Sequence, residues 1–286
     1  MNSSLFITAL LPVVILIIYI YRKDKLQPEP TKQIVRAFLL GLLSAPLSFL
    51  ISIPSEIIGL YSSDVVSVSD AIRISFFGAA IPEEAAKLFI LWIVVRNNKF
   101  FDEKMDGIVY AVCVSMGFAA LENVLYLTRN IDSYMATGIA RAFTAVPGHF
   151  CFGIVMGYYY SLATFDKNNV KRNRILTFVA PVIVHGLYDS ILIAAAALME
   201  SLTDVNEEVA GVVGLAFIVL FIYFCFKMWK FGSQKIKEHL KNDEEDMEKS
   251  KQELNDIFNK IIELEEQLKE LKQAHYDETF KNKLPF

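Results

Sequence analysis

The stretch IPEEAAKLFILWIVV, residues 81–95, decides how this chain folds. Its ionisable side chains, Glu83, Glu84 and Lys87, stand inside an apolar run, 72–95, that is long enough to cross a lipid bilayer. A charge at the centre of a spanning helix costs about 2.5 to 3.5 kcal/mol on insertion scales, so such residues usually serve chemistry or transport. The stretch therefore predicts a membrane helix that carries part of a functional site.

The composition of the whole chain agrees with a membrane location. Of its 286 residues 54% are hydrophobic, 22 are Phe, and the mean hydropathy is +0.38, which exceeds what one soluble core needs. We expect an all-α, polytopic transmembrane helix bundle of about seven spans, embedded in the lipid bilayer. Pro46 and Pro54 make the second run the weakest. The apolar runs are 5–21, 35–53, 72–95, 107–127, 139–161, 175–199 and 209–228.

Loop charges predict the orientation, because short cytoplasmic loops carry an excess of Lys and Arg. Basic residues follow the first, third, fifth and seventh runs, and acidic residues dominate the loops between them. This alternation predicts a multi-pass cell-membrane protein with its N-terminus outside and its C-terminus in the cytoplasm. The first run is expected to be a retained anchor. The basic residues are Arg22, Lys23, Lys25, Lys32, Arg36, Arg96, Lys99, Lys104, Lys167, Lys171, Arg172, Arg174, Lys227 and Lys230.

A change of composition near residue 231 predicts two domains, a transmembrane domain at 1–231 with its motif core at 72–199 and a charged cytoplasmic tail at 232–286. The tail has the heptad pattern of a coiled coil, which would support a homo-oligomer or a partner helix through 236–274. A solvated amphipathic helix is the alternative. His239 and His275 belong to the tail and need no function. No nucleic-acid motif is present. The heptad positions are Leu240, Met247, Leu254, Ile257, Ile261, Leu264, Leu268 and Leu271.

Helix periodicity places the charges of the third span relative to one another. Glu83 and Lys87 are four residues apart, and Glu84 and Lys87 are three apart, so the lysine lies between the two carboxylates. It can fully neutralise only one of them, which leaves the other as a candidate general base.

Other spans carry further polar residues at the middle or outer depth of the membrane. Glu122 lies in the fourth span, Arg141 and His149 lie in the fifth, and His185 and Asp189 share a helix face in the sixth. Buried ion pairs that only hold helices together are the structural alternative. A catalytic zinc is another alternative, although no H-E-x-x-H pattern occurs. The cysteines are scattered and predict neither a disulfide nor a metal site.

Together these motifs resemble the PrsW intramembrane proteases, which are distant relatives of the type II CAAX prenyl endopeptidases. PEEAAK at 82–87 is similar to the family's E-E-x-x-K motif, and GFAALEN at 117–123 is similar to its second acidic motif. Arg141 with His149, and HGLYD at 185–189, resemble the remaining two motifs. The resemblance covers residues 72–199.

The resemblance implies peptide hydrolysis inside the membrane, of a glutamic type that uses neither a metal nor another cofactor. It implies that Glu83 is the base, that His149 is its partner on the water, and that His185 donates to the oxyanion. Asp189 would orient His185 or be protonated, because an ionised Asp cannot donate a hydrogen bond to an oxyanion. The supporting roles go to Glu84 with Lys87, which would hold the third helix in register, and to Glu122 with Asn123, which would bind or polarise the site.

The resulting prediction is an endopeptidase that cleaves a single-span membrane protein, and the resemblance implies anti-sigma factors as the substrate class. A proton-coupled transporter is the first alternative, because the same glutamates and histidines could relay protons. A non-catalytic scaffold that acts through its coiled coil is the second alternative.

Overall fold

A computed structural model describes residues 3–203 and 205–281, and these residues form ten α-helices and no β-strand. The predicted all-α class is confirmed. Within the described residues, six segments are long and apolar enough to cross a membrane: Ser3–Lys23, Thr31–Ile57, Lys104–Arg129, Ile131–Phe165, Val170–Thr203 and Glu207–Asp277. The helices are α1 (Ser3–Lys23), α2 (Thr31–Leu42), α3 (Ser44–Ile57), α4 (Val68–Arg73), α5 (Ile81–Val95), α6 (Lys104–Arg129), α7 (Tyr134–Phe143), α8 (Ala145–Phe165), α9 (Val170–Thr203) and α10 (Glu207–Lys281).

The predicted third span is a continuous helical run made of α4, a π-helical turn at Ile74–Ala80, and α5. It is not among the six long segments, because every stretch of spanning length in this run contains more than two charged residues, with Glu83 and Glu84 always among them. Pro82 explains where the π turn falls: proline has no N–H to donate, and its ring crowds the carbonyl of Gly78, four residues earlier. The widened turn therefore ends three residues before Glu83, and π turns are common at functional sites.

Two other predicted spans also contain a break. α2 and α3 meet at Leu43, and Pro46 lies in the first turn of α3. α7 and α8 meet at Thr144, whose backbone angles of φ −119° and ψ −78° depart from those of a helix. Pro147 falls in the first turn of α8, where no intrahelical N–H bond is lost. The second break places His149 close to the beginning of α8.

The core of the bundle is α6, which is buried at every position from Met105 to Ala120. It packs mainly against α8, α2 and α1. Glycine permits this close packing: a Cβ at Gly117 would lie 2.3 Å from the Phe38 carbonyl oxygen, and one at Gly157 would lie 2.3 Å from the Gly107 carbonyl oxygen. Small residues commonly allow membrane helices to approach in this way.

The contacts of the chain divide it into two compact units, Met1–Leu240 and Lys241–Phe286. The predicted domain boundary at 231 precedes this division. Ile236 and His239 are buried in the first unit, and the His239 ring stacks on Tyr158 with 4.6 Å between centroids. His239 is thus a packing residue of the membrane unit, not a solvated tail residue. In the second unit the apolar heptad side chains Leu254, Ile257, Ile261, Leu264, Leu268 and Leu271 are exposed.

Candidate active site

The two adjacent glutamates of α5 have different surroundings. Glu84 is fully buried, whereas 14% of the Glu83 side chain is exposed, and Glu83 lines a cavity of about 460 Å³. Adjacent residues on a helix are separated by about 100° around its axis, so the two carboxylates necessarily point in different directions. Only Glu83 is placed to meet a molecule in the cavity.

Lys87 joins the two glutamates, as the spacing predicts. Its Nζ lies 2.8 Å from Glu84 Oε1 and 3.3 Å from Glu83 Oε2. The same ammonium lies 3.1 Å from His149 Nδ1 and 4.1 Å from the centre of the Phe118 ring. Since a lysine ammonium only donates, His149 Nδ1 accepts this hydrogen bond.

His185 is held between carboxylates on two helices. Its Nδ1 lies 2.8 Å from Glu84 Oε1, and its Nε2 lies 3.2 Å from Asp189 Oδ2 and 3.8 Å from Glu83 Oε2. A hydrogen on each ring nitrogen would satisfy both close contacts, because ionised carboxylates only accept. The four-residue spacing of His185 and Asp189 thus yields the predicted contact.

Glu122 lies on the opposite side of His149. Its Oε2 is 2.9 Å from His149 Nε2 and accepts a short hydrogen bond from Arg141 Nη2. Arg141 Nε also donates to Asn123 Oδ1 at 2.6 Å, and Asn123 Nδ2 donates to the Ala9 carbonyl at 3.0 Å. Arg141, at the end of α7, therefore binds the fourth-span motif.

All nine residues singled out in the sequence belong to one connected network. Lys87 links Glu83 and Glu84 to His149, and His149 leads through Glu122 to Arg141 and Asn123. Glu84 leads to His185 and from there to Asp189. The cavity is lined by six of the nine, namely Glu83, Glu122, Arg141, His149, His185 and Asp189, whereas Glu84, Lys87 and Asn123 lie behind them.

Aromatic side chains form cavity walls that the sequence analysis does not single out. The Phe152 ring is stacked on His185 with 4.4 Å between centroids and an interplanar angle of 19°. It follows His149 by three residues, so helix periodicity could have identified it. The Tyr188 hydroxyl also belongs to the wall; it is buried and has no hydrogen-bond partner among the described residues. A substrate carbonyl could accept a hydrogen bond from it.

Comparison with known proteins identifies the family. A family model described as "PrsW family intramembrane metalloprotease" matches residues 29–225. The chain belongs to the PrsW family. It is 39% identical over 191 residues to Protease PrsW of Oceanobacillus iheyensis, a match that covers 66% of this chain and 83% of that protein. Protease PrsW of Clostridioides difficile is 31% identical over 245 residues, covering 84% of this chain and 93% of the relative.

Protease PrsW of Bacillus subtilis is 38% identical over 187 residues, with 64% of this chain and 80% of the relative covered. No solved structure gives a significant match. The predicted PrsW assignment is confirmed. Membership of this family identifies the chain as a multi-pass membrane endopeptidase with a membrane-protein substrate.

The family description implies a metal, and one group of residues in the site offers possible ligands. Glu83, Glu84 and His185 offer ligand atoms within 4.8 Å of one another, and one oxygen of Glu84 is buried without a hydrogen-bond partner among the described residues. However, the Lys87 ammonium already lies within 3.3 Å of both carboxylates. A metal ion bound to the same oxygens would meet that positive charge at close range. In this arrangement the residues fit the lysine and do not fit an additional metal cation.

Proposed function

We propose that this chain hydrolyses a peptide bond of a single-span membrane protein with a water molecule that Glu83 activates. The observation that carries the proposal is the different placement of the two glutamates. Glu83 faces the cavity, and Glu84 is buried against Lys87 and His185. A base must reach the water and the scissile carbonyl, and Glu83 is the glutamate of the pair with that access.

The first step transfers a proton from water to the Glu83 carboxylate while the water oxygen attacks the peptide carbonyl. Lys87, 3.3 Å from Glu83, stabilises the ionised carboxylate before the transfer. When the tetrahedral intermediate collapses, the proton on Glu83 passes to the departing nitrogen. Glu83 thus ends the cycle as it began, and the products are a new carboxyl terminus and a new amine.

We assign the stabilisation of the oxyanion to His185. Its Nδ1 contact with Glu84 and its stacking on Phe152 hold the ring, and Nε2 lies beside Glu83 at the cavity. Asp189 accepts from Nε2 in the resting arrangement, so it orients the ring toward the position where negative charge develops.

For His149 the geometry supports a positioning role. Its Nδ1 accepts from Lys87, and its Nε2 donates to Glu122, so both ring nitrogens are already engaged. We therefore propose that His149 connects Lys87 to Glu122 and Arg141 and holds these side chains in place, whereas the family resemblance implies that it acts on the water beside Glu83.

We propose that a single-span protein of the anti-sigma-factor kind places its scissile bond in the cavity. This cavity is lined by α3 and by the helices that carry the site residues, α5 to α9. The α3 side of the cavity presents the small side chains of Ala45, Ser48 and Ser52 together with the ring of Phe49. Cleavage of a panel of single-span proteins by the purified chain in liposomes tests this proposal, with mass spectrometry locating the cut.

The same assay tests the proposed metal independence. The rival mechanism is a zinc site, which would require Glu83, Glu84 and His185 to bind the metal in place of their contacts with Lys87. Activity that survives exhaustive chelation, with less than stoichiometric zinc by elemental analysis, supports water activation by Glu83 alone. Loss of cleavage that stoichiometric zinc restores would instead assign the water to a metal.

A further inference from the structure

Four buried carboxyl groups meet at the opposite end of α6 from Glu122. Asp24 follows α1, Glu29 precedes α2, Glu103 is the N-cap of α6, and Asp106 lies in its first turn. Ligand atoms of Asp24, Glu103 and Asp106 all lie within 4.8 Å of one another, and the Glu29 side chain is within hydrogen-bonding reach of Asp106. We call these four residues the loop acidic cluster.

Helix capping explains part of the cluster. Glu103 and Asp106 form a capping box, in which Asp106 Oδ2 accepts from the backbone N–H groups of Asp102 at 2.9 Å and Glu103 at 2.8 Å. Carboxylates at a helix N-terminus are favourable. Capping does not require Asp24 and Glu29, which come from the separate loop between α1 and α2.

Two oxygens of the cluster point to a missing ligand. Glu29 Oε1 and Asp106 Oδ1 are buried and accept no hydrogen bond from any described residue, and their side chains are only 2% and 1% exposed. The other Glu29 oxygen accepts from the Tyr110 hydroxyl. Buried carboxylate oxygens are normally satisfied, so unsatisfied ones next to further carboxylates require a proton or a cation.

The environment of Glu29 agrees with this interpretation. Its buried side chain lies among the carboxyl groups of Asp24, Asp102 and Asp106. Burying several carboxylates together is expensive unless a positive charge lies among them.

We propose that the loop acidic cluster binds a hard divalent cation, Mg²⁺ or Ca²⁺, through carboxylate oxygens of the α1–α2 loop and the beginning of α6. The donors are oxygens, which these two cations prefer, whereas zinc sites are richer in histidine and cysteine. Each carboxylate supplies one ligand atom, and water completes the coordination shell. The bound cation would tie the α1–α2 loop to the core helix.

This site is separate from the candidate active site. Asp106 and Glu122 are sixteen residues apart on α6, which corresponds to about 24 Å along the helix. The cation would therefore stabilise the fold without touching the water that Glu83 is proposed to activate.

Binding of Mn²⁺, followed by electron paramagnetic resonance on the purified full chain, tests the proposal, with Mg²⁺ and Ca²⁺ as competitors. We expect one bound Mn²⁺ that one of these cations displaces. Thermal unfolding should shift upward by about 5 °C at a cation concentration 100-fold above Kd. Whichever cation competes more strongly is the preferred ligand.

Glu29→Gln removes one ligand charge and keeps the side-chain shape, and Asp102→Asn removes the same charge from an exposed neighbour. We expect Glu29→Gln to lose at least 10-fold in Mn²⁺ affinity and to lose the thermal shift, while remaining as stable as wild type without cation because like-charge repulsion falls. Asp102→Asn should retain both properties.

A Glu83→Gln variant distinguishes this site from the donor group of the active site and should bind Mn²⁺ like wild type. Absence of Mn²⁺ binding and of any thermal shift in wild type would overturn the proposal. So would binding that Glu29→Gln leaves intact or that Glu83→Gln abolishes.

Discussion

The candidate active-site network and the loop acidic cluster both bury several carboxyl groups, but they balance the charge differently. In the network four carboxyl groups, Glu83, Glu84, Glu122 and Asp189, contact Lys87, Arg141 and two histidines. In the cluster Glu29 accepts from a phenol, and Asp106 accepts from backbone amides.

The difference separates two uses of buried acid. A carboxylate that a lysine or an arginine already stabilises can stay ionised and act on water, since its counter-charge is built into the protein. In the cluster, Glu29 and Asp106 each keep one buried oxygen that accepts no hydrogen bond from a described residue, and oxygens of this kind are suited to an external cation. The network is therefore suited to chemistry and the cluster to holding an ion.

The largest effect is expected for Glu83→Gln, which removes the proposed base from the candidate active-site network. Removing the proposed base should lower cleavage by at least about 10²- to 10⁴-fold, and the melting temperature should stay near that of wild type because Glu83 is partly exposed to the cavity. Cleavage in liposomes and thermal unfolding measure the two effects. The matched control is Glu56→Gln in an exposed segment, and full activity of Glu83→Gln would refute its role as the base.

Glu84→Gln should mainly reduce stability. It leaves the fully buried Lys87 with the weaker of its two carboxylate partners and removes a charged partner of His185. Breaking a buried ion pair from one side typically costs about 3–5 kcal/mol, so we expect a lower melting temperature together with reduced activity. A melting temperature equal to that of wild type would contradict the proposed structural role of Glu84.

Membrane topology would sharpen the comparison, because it decides which compartment each site faces. Reporters fused after residue 231 should read as cytoplasmic, and reporters near residue 204 should read as external. The loop acidic cluster, beside basic segments such as 22–25 and 96–104, would then face the cytoplasm. The reverse pattern of reporters would place the cluster outside the cell.

Shortening the tail should have the smallest effect on either site. A chain that ends after Leu240 keeps the first compact unit, so cleavage and cation binding should remain, while any self-association driven by the heptads should disappear. A chain that ends after residue 232 also loses Ile236 and His239 and should be less stable by about 2 kcal/mol or more. Light scattering in detergent and thermal unfolding measure these outcomes; an unchanged oligomeric state would count against the coiled coil.

Periodicity and hydropathy identified the helices because both signals are local. The contacts of Lys87 with Glu83 and Glu84, and of His185 with Asp189, follow from spacings of three and four residues on single helices. The π turn before Glu83 was not predicted, although Pro82 is its physical cause. The break at Thr144 was not predicted either, because no charge or proline lies at that residue.

The sequence by itself determined the membrane class, the family and the residues that carry charge into the bilayer, since hydropathy and short motifs are properties of neighbouring residues. Contacts between helices required the tertiary structure: Glu84 with His185 spans 101 residues, and Glu122 with Arg141 spans 19 across a helix break. The meeting of Glu29 with Asp106 had no signal in the sequence, because loop acids near the membrane ordinarily face water. Only the packing of α1, α2 and α6 removes these carboxylates from water, and burial is what gives them a need for a cation.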